Sequence, residues 1–100
     1  MFMNTAKDNV LVAPAKLLVS TRGDFRQKAL KFVERRVVEG GEIVIDLSDT
    51  QEIDASGIGL LVLVQEWARR HELAVRLLGV RKEVRDLLDL TRLDGLFEIE

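Results

Sequence analysis

The residues whose chemistry stands out lie in one run, Ile53-Asp54-Ala55-Ser56-Gly57-Ile58-Gly59-Leu60-Leu61. A hydroxyl, Ser56, follows a carboxylate, Asp54, by two residues and precedes two glycines. Such a hydroxyl can accept a phosphate or, with a base beside it, act as a nucleophile. The sole histidine, His71, lies about fifteen residues on, which along one helix is roughly 22 Å. Catalysis by Ser56 is therefore not expected, and the chain reads as no enzyme. Ser and Asp are also ordinary helix-capping residues, each able to satisfy one free N–H. Glycines in the first turns of a helix cost roughly 0.5–1 kcal/mol each relative to Ala. Gly57 and Gly59 thus suggest that another surface comes close to the backbone there.

Other chemistries find less support. Asp46, Asp49, Glu52 and Asp54 bunch together, but without the alternating oxygen ligands and central glycine of a calcium loop, so no metal is expected. The absence of cysteine excludes disulfides and thiolate chemistry and fits a cytoplasmic protein. Gly57-x-Gly59 runs on into Leu60, Leu61 and Val62, not into a dinucleotide fingerprint, and no Walker lysine follows, so no cofactor is expected. A net charge of -2 and only four Phe and one Trp argue against nucleic acid. The opening Met1-Phe2-Met3-Asn4-Thr5-Ala6-Lys7-Asp8 has no signal-peptide pattern. The longest apolar stretch, Leu60 to Val64, is too short to enter and cross a bilayer.

The elements that must position Ser56 can be read from periodicity. Residues 1–100 form one α/β domain, with 1–8 expected as a flexible N-terminal segment. Val10-Leu11-Val12 and Leu17-Leu18-Val19 flank Pro14 and predict two strands joined as a hairpin. From Asp24, a plausible N-cap, Phe25, Ala29, Phe32 and Val33 mark one face of a helix, with Leu30 and Val37 at its edge. Arg36 interrupts that face, and Gly40-Gly41 should end the helix. Ile43-Val44-Ile45 predicts a strand covered on both faces. Asp49 to Asp54 reads as a loop. A helix from about Ser56 to Arg70 is apolar nearly all round at Ile58 and Leu60 to Val64, which predicts an exposed apolar patch beside the hydroxyl. Trp67 is expected in the core, and Arg69, Arg70 and His71 at the solvated helix end. A strand over Leu73 to Leu78, a helix carrying Val84, Leu87, Leu88 and Thr91 on one face, and a short strand near Leu96-Phe97-Glu98-Ile99 complete the chain. The order β-β-α-β-α-β-α-(β) implies a mixed or mostly parallel sheet of 4–5 strands with helices packed on it.

Asp46-Leu47-Ser48, the Ile53–Leu61 run and the later Leu90-Thr91-Arg92-Leu93-Asp94-Gly95-Leu96-Phe97 together resemble a STAS domain, the fold of bacterial anti-sigma factor antagonists. The resemblance runs from about Val10 to Ile99. It implies that Ser56 is phosphorylated by a partner that is both anti-sigma factor and serine kinase. Asp54 would support that reaction, and Asp24, Asp54, Ala55, Ser56, Gly57, Ile58, Gly59 and Leu60 would face the partner. Ala55 stands where many members have a second hydroxyl. Other members of the family dock on the ATPase of lipid-transporting ABC systems or join stress-sensing complexes, and there phosphorylation need play no part. Membrane insertion is not expected, and the apolar helix leaves a homodimer open.

Overall fold

A computed structural model describes residues 9–100, so the expectation for 1–8 lies outside the described residues. Among the described residues, six short strands and three α-helices alternate. They are β1 (Leu11–Val12), β2 (Lys16–Leu17), α1 (Arg22–Glu39), β3 (Ile43–Asp46), β4 (Glu52–Ile53), α2 (Ala55–Arg70), β5 (Val75–Leu78), α3 (Lys82–Leu90) and β6 (Glu98–Ile99), with a 3-10 turn at Asp94–Leu96.

The expected hairpin does not form. β1 pairs in parallel with β3, matching Leu11 to Ile45, while β2 pairs in parallel with β4, matching Leu17 to Ile53. Pro14 separates two runs that go to different sheets, a four-stranded one ordered β1-β3-β5-β6 and a two-stranded one of β2 and β4. All observed pairings are parallel. The segment expected as a plain loop, Asp49 to Asp54, thus contains a strand, β4.

The main sheet advances in one direction, β1 to β3 to β5 to β6. Right-handed crossovers in a single direction put all three helices on one face. Burial in the strands agrees. Ile43, Ile45, Val75 and Leu77 are buried, while Val44, Asp46, Arg76 and Leu78 on the opposite face are only half-buried. This corrects the expectation that β3 is covered on both sides. On the open face Arg76 pairs with Glu42 and Glu100.

The same arrangement explains the apolar surface of α2. It packs against α1 on one flank and lies between α1 and α3 in sheet order. Ile58, Leu60, Leu61, Val64 and Ala68 are buried, and Val62 and Leu63 are half-buried. The apolar residues of α2 therefore serve the core, and the exposed patch expected of them is not found. Trp67 is half-buried against the core, with the Arg26 guanidinium 5.7 Å from its ring centroid.

Helix α1 buries Phe25, Ala29, Phe32 and Val33, the face its periodicity predicts. It starts earlier than expected. Arg22 is its first residue, and Asp24 lies in the first turn instead of capping. The preceding Thr21 does not cap through its side chain. Its Oγ1 donates to the Lys16 carbonyl (2.7 Å) and accepts from the Leu18 N–H (2.9 Å), tightening the β2–α1 turn. Arg36 has a local reason to face inward. Its Nη1 donates to Asn9 Oδ1 and Glu39 Oε1, its Nε to the Glu42 carbonyl, and the guanidinium covers Gly41, where any side chain would collide with it.

The Leu90–Phe97 motif builds the exit from α3. Thr91 caps the helix, its Oγ1 donating to the Leu87 carbonyl (2.8 Å). Leu93 packs on the core and Phe97 is buried. Leu88 is fully buried while Leu90, two positions on, is 80% exposed. Leu88→Ala is expected to cost about 2–5 kcal/mol, and Leu90→Ala to stay within about 0.5 kcal/mol. Urea denaturation of the two variants checks this, and similar losses would contradict the orientation of α3.

Candidate functional site

The site is assembled where β4 leads into α2. Asp54 is the N-cap, with extended backbone at ψ -174° and Ala55 as first helical residue. Its Oδ1 accepts from the Gly57 N–H at 2.9 Å. Its Oδ2 accepts from the Val19 N–H at 3.0 Å, across 35 residues of sequence. One carboxylate thereby joins the start of α2 to the β2–α1 turn. The Asp54 N–H in turn reaches the Leu17 carbonyl at 3.4 Å. The hydrogen bonds from Gly57 and then Val19 hold the Asp54 carboxyl below its ordinary value of 3.8.

The two glycines have different reasons. A side chain at Gly57 would overlap the Leu17 carbonyl oxygen and lie 2.8 Å from Ile53 Cγ1. The surface that approaches Gly57 is therefore the chain's own β2–β4 pair, which corrects the expectation that both glycines open the helix to a partner. Gly59 is exposed, and a side chain there would meet nothing within 4 Å. Nothing inside the fold requires glycine at 59.

Ser56 occupies the second helical position and is half-buried. Among the described residues its hydroxyl has no hydrogen-bond partner, so it is not a structural cap; that role belongs to Asp54. Ala55 is exposed beside it. Of the residues expected to face a partner, Gly57, Ile58 and Leu60 are buried, Ile58 and Leu60 in the core, whereas Ala55, Ser56 and Gly59 reach the surface. Asp24 is exposed but stands apart. With Thr21, Lys28, Asp49 and Gln51 it lines a shallow cleft whose walls include none of residues 54–60.

Sequence reasoning missed Val19. The apolar run places it at the end of a strand, yet its side chain is 70% exposed in the turn that Asp54 and Thr21 hold. No periodic signal could show this, because the strand ends at Leu17 and the next two residues turn. His71 caps the far end of α2 and is exposed, as expected of a helix-end residue. The neighbouring acids have separate roles: Asp46 accepts from the Ser48 N–H (2.8 Å) and Glu52 pairs with Lys16 (3.7 Å).

The comparisons with known proteins agree with this geometry. The family model described as "Mlab, STAS domain" matches residues 3–98. The chain belongs to the STAS domain family. A solved structure from Thermotoga maritima, described as that of a candidate anti-sigma factor antagonist, superimposes with a TM-score of 0.75. It shares 24% identity over 92% of this chain and 79% of that one, and so shares the STAS fold. No helix among the described residues is long and apolar enough to cross a membrane.

Two outcomes follow for the site. Gly57→Ala is expected to destabilise the domain by about 2–4 kcal/mol, because the clash is with backbone. Gly59→Ala should leave it unchanged or stabilise it by about 0.5–1 kcal/mol through helix propensity. Thermal unfolding of both variants measures the contrast. For Asp54, a folded value below 3.8 means that its stabilisation is complete at neutral pH and lost as pH falls through that lower value. Asp54→Asn should therefore be less stable than the parent at pH 7, and the gap should close at acid pH. A gap that widens on acidification would contradict the assignment.

Proposed function

We propose that this STAS domain is an anti-sigma factor antagonist-like regulatory module. In this reading it binds an anti-sigma factor that is also a serine kinase, and phosphorylation of Ser56 releases it. The observation that carries the proposal is the unengaged Ser56 hydroxyl at the start of α2, next to a cap made entirely by another residue. A serine with no structural duty, at a surface position on a helix whose start is fixed, is well placed to accept a phosphoryl group. The proposed partner surface comprises Ala55, Ser56 and Gly59 with the outer side of Asp54. Gly59 supports it, since it is exposed one turn beyond Ser56 at a position where the fold does not need glycine.

A phosphate adds about −1.5 to −2 charge at pH 7. In the free domain that charge faces water at a helix N-terminus, where it is tolerated. Under a partner it must be desolvated beside Asp54, and a loss of about 2–4 kcal/mol, roughly 30- to 1000-fold in affinity, is reasonable. The switch thus needs no change of fold. The one histidine, His71, lies at the far end of α2, and in this reading the domain acts as substrate and binding partner, not as catalyst.

The resemblance to STAS domains implies one second reading, a docking subunit of a lipid-transport ABC ATPase. Here Ser56 and Gly59 would form part of a permanent interface. Two measurements separate the readings. Incubation with a cognate anti-sigma kinase and ATP should add one phosphate by intact mass, and Ser56→Ala should abolish it. Titration of that kinase should show Ser56→Asp binding at least about 30-fold more weakly than Ser56→Ala. No phosphate, together with co-purification of an ATPase, would replace the first reading by the second.

A further inference from the structure

Asp54 holds Val19 in place, and this has a bearing on how a phosphate at Ser56 would be felt. The β2–α1 turn has two independent anchors. Thr21 Oγ1 accepts from the Leu18 N–H and donates to the Lys16 carbonyl, and the Thr21 and Arg22 N–H groups donate to the Leu18 carbonyl. These bonds fix the two ends of the turn. Among the described residues the Val19 N–H has only Asp54 Oδ2 as acceptor, and the Val19 side chain is 70% exposed with no place in the core. The other oxygen of the same carboxylate is committed to the Gly57 N–H, in the helical turn that carries Ser56.

We propose that Asp54 couples the phosphorylation state of Ser56 to the position of Val19, so that the phosphate also withdraws an apolar contact from the partner surface. This rests on the reading of Ser56 as a phosphoacceptor. A phosphate on the second helical residue seeks the same free N–H groups that Asp54 occupies. It also places a dianion within two residues of the carboxylate, and like charges oppose each other there. Asp54 yields because its bonds are single and near solvent, whereas the phosphate is covalently held. Its release frees the Val19 N–H, and the Val19-Ser20 segment loosens between the fixed ends at Leu18 and Thr21. Val19 is the exposed apolar residue tied to this site, and the partner it fits presents a small apolar patch beside groups that meet Ala55 and Gly59. Asp54 is here a positioning residue, acting on Val19 and not on the phosphoryl group.

The test uses the full chain with phosphoserine incorporated at position 56 during synthesis, so it does not depend on finding the kinase. Amide exchange at Val19, read by NMR, should speed up by about tenfold or more on phosphorylation, the loss of about one hydrogen bond. The Leu18 amide, held by Thr21, should not change. In an Asp54→Ala background Val19 should exchange fast already, and phosphorylation should add nothing. Asp54→Asn provides the same comparison should the alanine variant fold poorly. Unchanged Val19 exchange in the phosphorylated parent would overturn the coupling, and so would a phosphate effect that persists without Asp54. Either result leaves the partner-release reading standing, because kinase labelling and partner affinity are measured separately. A parent that shows the Val19 response but is never labelled by a kinase would instead keep the coupling and remove the biological switch.

Discussion

The architecture around Ser56 depends on one carboxylate serving two segments far apart in sequence. Asp54 accepts from Gly57 at the start of α2 and from Val19 in the β2–α1 turn. Without it the helix start and the turn would be joined only through the small β2–β4 pair. That pair consists of two residues from each strand. So short a ladder contributes few hydrogen bonds, and its register is instead secured by close packing. Leu17 is fully buried, and its carbonyl sits where a side chain at position 57 would be. The cap, the glycine and the short ladder therefore form one unit. The position of Ser56 follows from it, since Ser56 lies between Asp54 and Gly57 and, among the described residues, its hydroxyl has no hydrogen-bond partner.

The larger setting is a parallel sheet with helices on one face. In it α2 packs against α1 as well as lying over the sheet, which accounts for an apolar surface wider than a sheet alone would cover. The consequence for function is that little of α2 remains free. The side that faces solvent near its start offers Ala55, Ser56 and Gly59, small residues on a rigid scaffold. In the proposed reading, recognition there relies on shape and on backbone approach, with larger side chains supplied from the turn next door.

Much of this was legible in the sequence because local rules carried it. The buried face of α1 followed from a 3.6-residue period, the ends of α1 and α2 from Gly40 and from the charged Arg69-Arg70-His71 end, and the family from three spaced motifs. The failures share a physical cause, which is that the deciding partner was distant. Two apolar runs around Pro14 look like a hairpin until their true partners, more than thirty residues on, are known. Gly57 looks like an opening to a partner until Leu17 is found against it. Arg36 looks misplaced until Glu42 is brought to it by the turn after α1 and Asn9 by the segment before β1. Asp24 lies inside the first turn of α1 for a similar reason, since the preceding turn, with the Thr21 and Arg22 N–H groups donating to the Leu18 carbonyl, starts the helix at Arg22.

The two halves of the Ser56 region also explain how one modification can be cheap in the free domain and costly in a complex. A helix N-terminus carries the equivalent of about half a positive charge. The ionised Asp54 already more than matches it. A phosphate of about −1.5 to −2 therefore exceeds what the terminus can neutralise. In the free domain the excess is met by water and salt, because Ser56 and Ala55 are both at the surface. A partner that covers them removes that water, and nothing within the domain replaces it. The same carboxylate that organises the site would thus make a second anion there costly under a partner, so that the structural role of Asp54 and the proposed role of Ser56 are consequences of one arrangement.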